Sequence, residues 1–171
     1  MIVKPTPADV PAYYTYYLNL VTANDLQTAL VNNCNTTVSL FTTIAEDKAC
    51  YAYAPNKWTI KQVLNHIIDC ERVFQYRALR FMRNDATNLA GFDENNYAIN
   101  DNTPSKTLAE LIEEFKIVRV ATLALYSNVT PAMLDFKGVA NNNPLTARGL
   151  GWFVVGHAIH HCNVVKEKYI S

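Results

Sequence analysis

The four histidines are the side chains of this 171-residue chain whose spacing points to chemistry. His66 lies alone, whereas His157, His160 and His161 lie together near the C-terminus. On an α-helix, residues four positions apart differ by about 40° around the axis, so His157 and His161 project from one face, one turn apart. Two imidazoles placed in this way can bind one metal ion. His66 could add a third ligand from another helix and leave coordination positions open, as in catalytic zinc sites.

His160 is displaced by about 60° from His157, so we expect it to flank the pair and not to be a ligand. The alternative for each histidine is a core residue whose two ring nitrogens are hydrogen-bonded. Three histidines on apolar stripes favour a metal site over hydrogen-bonded core residues, because one shared cation satisfies three acceptor nitrogens at once. Cys70 would share the face of His66. A closed structural site of three histidines and one cysteine is therefore a second interpretation.

Five segments have helical periodicity, and none has a convincing period of two. We predict a short N-terminal helix that Thr6 caps and that ends near Leu20. Four long helices are predicted over residues 24–45, 59–84, 107–126 and 146–169. The helices at Thr59 and Thr107 should open with capping patterns, in which a Thr is followed three residues later by Gln or Glu.

The intervening residues 85–102 and 128–143 are predicted loops. The second could contain a single turn at Thr130-Pro131, and the run from Asn141 to Pro144 should end any regular structure. We therefore predict an all-α fold, a four-helix bundle with a short additional N-terminal helix, as a single domain over residues 1–171. Metal sites in bundles are built from inward side chains of facing helices.

Composition excludes several classes of function. The chain has 15 basic and 15 acidic residues and no Lys/Arg run, which argues against a nucleic-acid partner. No apolar stretch approaches the roughly 18 residues that span a bilayer, and the start does not resemble a signal peptide. We expect a cytoplasmic protein with no membrane association. The four scattered cysteines lack a C-x-x-C pair and should be reduced thiols.

Two further polar residues lie close to the histidine stripes. Asp69 could accept the second ring N–H of a ligand histidine, or it could pair with Arg77 or Arg119. Arg119 lies in the middle of an apolar stripe, where an unpaired charge is costly. It should meet a carboxylate or face a cavity that receives a substrate anion. Candidate partners include the carboxylates of Asp69, Glu71 and Glu114.

Several motifs, in order over residues 52–169, resemble the DinB/YfiT-like superfamily. The motifs are Lys57-Trp58-Thr59, the segment His66 to Arg72, the segment Tyr76 to Arg80, Gly91-Phe92-Asp93, Glu114-Phe115 with Arg119, and the segment Gly156 to His161. The resemblance implies a four-helix bundle of metal-dependent enzymes, often dimeric, in which three histidines bind a divalent ion such as zinc or nickel. Carried onto this chain, the ligands are His66, His157 and His161.

Members of that superfamily include thiol-dependent transferases and isomerases. The resemblance therefore implies a metal-dependent hydrolase or thiol-dependent S-transferase that acts on a small molecule as a homodimer. A low-molecular-weight thiol would be the cosubstrate in the second case. The alternative is a non-enzymatic, metal-stabilised bundle with a structural, dimerisation or small-ligand-binding role. A fourth protein ligand would favour that alternative, whereas an adjoining pocket would favour catalysis.

The chain departs from the superfamily pattern at two positions. Cys70 stands where Thr or Ser is expected, and Ala158 stands where relatives often have Glu. A general base must therefore come from elsewhere. Asp69 and His160 are the first candidates for a base, and Arg119 is a third candidate catalytic residue.

Overall fold

The structure is a computed structural model that describes residues 1–170. Four long helices form its frame, and shorter elements connect them. The elements in chain order are α1 (Tyr14–Asn19), α2 (Leu26–Thr42), α3 (Ile60–Met82), α4 (Glu94–Ile99), α5 (Leu108–Leu125), α6 (Pro131–Asp135), β1 (Lys137–Ala140), β2 (Asn143–Thr146) and α7 (Ala147–Val165). Single 3-10 turns occur at Pro7–Asp9, Glu46–Lys48 and Thr103–Ser105, and a π-helical turn at Lys166–Ile170 follows α7.

The predicted all-α four-helix bundle is confirmed. Helices α2 and α3 each pack against both α5 and α7. The bundle therefore places α2 diagonally opposite α3, and α5 diagonally opposite α7. Because α3 lies beside α7, the helix that carries His66 faces the helix that carries the other three histidines. None of the helices over residues 1–170 combines the length and apolar character needed to cross a bilayer.

The predicted starts of three long helices are confirmed. The hydroxyl of Thr59 accepts a hydrogen bond from the backbone N–H of Gln62, and the backbone N–H of Thr59 donates one to the Gln62 side chain. Thr107 and Glu110 form the same capping box on α5. The hydroxyl of Thr146 accepts from the backbone N–H of Gly149 at the start of α7. These caps satisfy N–H groups that the first turn of a helix leaves unpaired.

The predicted N-terminal helix from Thr6 to Leu20 is wrong as one continuous element. A 3-10 turn at Pro7–Asp9 and helix α1 replace it, and Val10 between them is extended with φ −139° and ψ 153°. Pro11 causes the interruption, because a proline ring disfavours helical backbone at the residue before it.

Both predicted loops contain regular structure. Residues 85–102 include α4, which Asp93 caps by accepting from two backbone N–H groups. Residues 137–146 form an antiparallel hairpin, so the prediction that Asn141 to Pro144 ends regular structure is wrong. Asn141 and Asn142 adopt positive φ angles of 49° and 60°, which suit a tight two-residue hairpin turn.

A buried ion pair connects three of the long helices. The fully buried guanidinium of Arg119 on α5 donates to both carboxylate oxygens of Glu71 on α3, at 2.8 and 2.9 Å. It also donates to the Leu30 carbonyl and the Asn33 side chain on α2, both at 2.9 Å. Of the carboxylates considered for Arg119, Glu71 is therefore the partner.

Candidate metal centre

The packing of α3 on α7 brings three of the four histidines together. Nε2 of His157 lies 3.1 Å from Nε2 of His66 and 3.1 Å from Nε2 of His161. Over the described residues, these three form a group whose potential ligand atoms all lie within 4.8 Å of one another, and no fourth His, Cys, Asp or Glu joins it. The geometry thus unites the three residues that the sequence predicts as ligands.

Hydrogen bonding alone does not satisfy this arrangement. A neutral imidazole nitrogen either donates one proton or accepts one through a single lone pair. Nε2 of His157 can therefore make a good hydrogen bond to one of its two neighbours but not to both. A cation shared by three lone pairs removes this conflict, so the donor set fits a divalent metal ion.

The separations between nitrogens also fit a shared ion. Two nitrogens that bind one ion at about 2.1 Å lie about 3.0 Å apart for a right angle at the ion and about 3.4 Å apart for a tetrahedral angle. The two separations that involve His157, 3.1 Å each, fall within this range.

Burial keeps the three imidazoles neutral. Loss of solvent lowers the pKa of His66 to about 4 and that of His161 to about 3, with neighbouring histidines as a smaller cause. The pKa of His157, which is only 7% exposed, is lowered well below its ordinary value for the same reasons. Neutral imidazoles keep the lone pair that metal binding requires.

Cys70 lies beside the His66 ring and outside the group of ligand atoms. Its Sγ is 3.6 Å from both ring nitrogens of His66. Burial raises the pKa of the thiol, which favours the protonated form over the thiolate that binds metals. Both features favour an open site of three histidines over a closed site with four protein ligands.

His160 points away from the three converging nitrogens. Its Nδ1 lies 3.2 Å from the hydroxyl of Tyr16, and the residue is partly exposed. Its ring still contacts that of His161, with centroids 4.9 Å apart. His160 therefore lies at the edge of the site.

Asp69 and Arg119 have other partners. Asp69 accepts a hydrogen bond from Asn65 at 2.9 Å and lies 3.6 Å from the Arg72 guanidinium, so it pairs with neither Arg77 nor Arg119. Burial raises the pKa of its carboxyl. Arg119 is held by Glu71, Asn33 and Leu30, so it does not present a free cation to a substrate.

Aromatic side chains surround the histidines. The ring of Trp58 lies 4.6 Å from that of His66, and the ring of Phe153 stacks 5.6 Å from that of His157. Phe74 approaches His157 edge-on at 6.2 Å. These rings pack against the imidazoles and restrict their orientations.

Two cavities adjoin the centre. A small one reaches His66 and is lined by Asp69, Glu94 and Asp101 among others. A second one, of about 260 Å³, is lined by His160 and His161, by aromatic residues and by Lys57. A larger cavity of about 690 Å³ elsewhere contains no histidine, so size alone does not identify the relevant pocket.

Two residues at the site have no assigned role in the sequence-based prediction. Trp58 belongs to a recognised motif, but nothing in its spacing indicates that it would cover His66. Asp101 lies in a predicted loop. Its Oδ1 accepts from the N–H and hydroxyl of Thr103, whereas its buried Oδ2 has no hydrogen-bond partner among residues 1–170. The position of Asp101 near His66 becomes apparent only from the packing of residues 94–105 against α3.

Comparisons with known proteins place this geometry in a family context. A family model described as the DinB superfamily matches residues 29–165. No curated protein matches the chain. Among solved structures, YfiT from Bacillus subtilis aligns with a TM-score of 0.70 and 14% identity, over 96% of this chain and 90% of that one. It is described as a probable metal-dependent hydrolase with an unusual four-helix bundle topology. At this identity the likeness shows the fold.

Proposed function

The chain belongs to the DinB superfamily, and we propose on that premise that it is a divalent-metal-dependent hydrolase whose ion is held by His66, His157 and His161. One observation carries the proposal: Nε2 of His157 lies 3.1 Å from Nε2 of His66 and 3.1 Å from Nε2 of His161. One cation can bind all three nitrogens, whereas hydrogen bonding can satisfy only one of the two contacts of His157. The description of the YfiT structure as a probable metal-dependent hydrolase supports the same reaction class.

The chain's own residues would hold the ion and shape its surroundings. When bound, a divalent ion with open coordination positions polarises a carbonyl group and lowers the pKa of bound water to near 7. Three neutral imidazoles leave the positive charge of such an ion uncompensated, which preserves its Lewis acidity. Trp58 and Phe153 hold the rings of His66 and His157 in place.

His160 is the best placed of the candidate catalytic residues. It lines the same cavity as His161, whereas Asp69 and Arg119 are engaged by other side chains. The hydroxyl of Tyr16, 3.2 Å from Nδ1, fixes the ring and leaves Nε2 to contact a substrate. We assign His160 the role of transferring a proton to or from the substrate.

The open cavities favour catalysis over a purely structural metal site. A structural ion has four protein ligands and no access, whereas here a cavity of about 260 Å³ reaches His161. The same site could serve a thiol-dependent S-transferase if an external thiol supplied the nucleophile. The buried, protonated thiol of Cys70 is not suited to that task.

Zinc and nickel are the ions that we propose, and a homodimer is the proposed assembly. Ile117 and Val120 on α5 are 70% and 64% exposed, and a second copy could cover this apolar surface. Elemental analysis of protein purified without a His tag identifies the metal. Light scattering after size-exclusion chromatography gives the oligomeric state.

The function is tested by comparing metal content and activity in one set of variants. His66→Ala, His157→Ala and His161→Ala should each lose the ion and all metal-dependent hydrolysis in a screen of small esters and amides. Parallel assays with low-molecular-weight thiols and electrophiles detect S-transfer. Folded wild-type protein that binds no divalent ion would refute the metal site. Metal-loaded protein active only with a thiol would assign the transferase reaction.

A further inference from the structure

The cavity beside His161 has a distinct chemical character. Aromatic and branched apolar side chains line it together with a smaller number of polar residues. The lining residues that matter for the argument are Tyr53, Lys57, Trp58, His160, His161 and Tyr169. Its volume of about 260 Å³ is just below the roughly 300–1,000 Å³ typical of sites for drug-sized ligands. The cavity therefore suits a small molecule.

The aromatic wall is held in place by its own contacts. The hydroxyl of Tyr169 donates to the Trp58 carbonyl at 2.7 Å, and the ring of Tyr53 meets that of Tyr169 edge-on at 4.9 Å. Burial raises the pKa of Tyr169 to about 12, so the phenol stays neutral. With its hydroxyl engaged, Tyr169 offers mainly ring surface to a ligand. The wall therefore suits a flat, apolar group.

Charge separates this cavity from the one on the His66 side. Among its described lining residues, Lys57 is the one Lys or Arg side chain, and no carboxylate is present. The cavity at His66 instead contains the carboxylates of Asp69, Glu94 and Asp101. An anionic ligand would be repelled from the His66 side and attracted to the His161 side.

We propose that this second cavity is the substrate subsite and that it selects a flat, apolar group carrying a carboxylate, with Trp58 and Tyr169 contacting the apolar part and Lys57 the carboxylate. The inference rests on the proposed function, because the metal site proposed there would act on the end of the substrate that lies toward His161. It deepens that function by naming the substrate class: small carboxylate-bearing aromatic or similarly flat esters and amides.

Two probes of matched shape and opposite charge test the proposal. They are 4-carboxybenzohydroxamate and 4-(aminomethyl)benzohydroxamate, whose hydroxamate groups bind metal ions. In titration calorimetry with metal-loaded protein, we expect the carboxylate probe to bind about fivefold more tightly, since water screens an exposed ion pair. Lys57→Glu should reverse the preference, and Trp58→Leu should weaken both probes about tenfold while the preference remains.

Lys48→Glu is the matched control, because it makes the same charge change on another exposed lysine that lies outside the cavity. It should leave the preference within about twofold of wild type. Equal binding of the two probes, tighter binding of the amine, or an equal effect of Lys48→Glu and Lys57→Glu would overturn the inference.

Failure of the subsite and failure of the metal site give different results. Metal content is measured on the same samples, so protein that carries the ion but does not discriminate between the probes overturns the subsite alone. Protein that binds no ion overturns the proposed function. In that case benzoate and benzylamine, compared by saturation-transfer NMR, test the cavity without a metal. A preference for benzoate that Lys57→Glu abolishes would uphold the subsite, and its absence would refute it.

Discussion

His157 is the residue at which burial and geometry make the strongest case for a bound cation. It is 7% exposed, and the Nε2 atoms of His66 and His161 each lie 3.1 Å from its own Nε2. The sequence predicts this convergence because His157 and His161 share a helix face and His66 lies on an apolar stripe of another helix. It could not predict which aromatic rings hold them, because Trp58 reaches His66 from a loop.

His160→Ala tests the distinction between the converging histidines and the flanking one. Because the His160 ring turns toward Tyr16, we expect this variant to retain the wild-type metal stoichiometry, with a metal Kd within about threefold of wild type. Metal analysis and a competitive chelator titration provide the measurement, with His161→Ala as the positive control for loss. A folded His160→Ala protein without metal would show that the ligand pair on α7 is wrongly assigned.

Cys70→Ser tests whether the site is open. The thiol lies beside the His66 ring and is held protonated by burial, so the variant should keep the ion. A hydroxyl in this buried position should lower the free energy of unfolding by about 1–2 kcal/mol. Cobalt-substituted wild-type protein should lack a thiolate charge-transfer band. Such a band, absent from Cys70→Ser, would indicate a closed structural site of three histidines and one cysteine.

At the level of elements, helix starts are predictable where both members of a cap are close in sequence. Thr59 with Gln62 and Thr107 with Glu110 are three residues apart, so local sequence contains the whole interaction. The hairpin β1–β2 is not predictable in this way. Its strands have four residues each, and its Asn-Asn turn resembles a loop until the positive φ angles are known.

The cap of α3 should matter for metal binding as well as for stability. Thr59→Ala removes the acceptor for the Gln62 N–H, and we expect a loss of about 1 kcal/mol in the free energy of unfolding. The first turn of α3 would then fray close to His66, and metal affinity should fall about threefold.

Thr107→Ala provides the matched control, because it removes the same type of capping box from α5, which carries no histidine. Thermal unfolding and metal titration of both variants give the comparison. The two should lose similar stability, and only Thr59→Ala should lose metal affinity. Equal losses of affinity would mean that global stability, and not the position of α3, governs metal binding.

At the scale of the whole molecule, the Arg119–Glu71 pair fixes three helices relative to one another. The sequence shows that Arg119 needs a carboxylate, but Asp69, Glu71 and Glu114 are all near the predicted interface. Tertiary packing decides among them, since Asp69 and Glu114 are paired with Arg72 instead. The same network accounts for a buried polar residue on α2. The side chain of Asn33 lies in the core, where it accepts a hydrogen bond from Arg119.

Removing one partner of this pair should destabilise the entire bundle. Glu71→Ala leaves the Arg119 charge buried without its carboxylate, and we expect a loss of about 3–5 kcal/mol in the free energy of unfolding. The double variant Glu71→Leu with Arg119→Met removes both charges and should recover at least half of that loss. Urea unfolding of the two variants checks this, and a double variant no more stable than Glu71→Ala would contradict it.

The histidines also couple the stability of the metal-free molecule to pH. The pKa values of His66 and His161 fall from an unfolded value near 6.5 to about 4 and about 3. Below pH 6.5 the unfolded chain therefore binds more protons than the folded one, and stability falls as the pH is lowered toward 4. At pH 5 each histidine should account for about 2 kcal/mol of lost stability relative to pH 7.5.

Denaturant unfolding of metal-free wild type and His66→Gln at both pH values measures this loss of stability. The variant should lose about 2 kcal/mol less on acidification, and an unchanged pH dependence would show that His66 is not held neutral by burial.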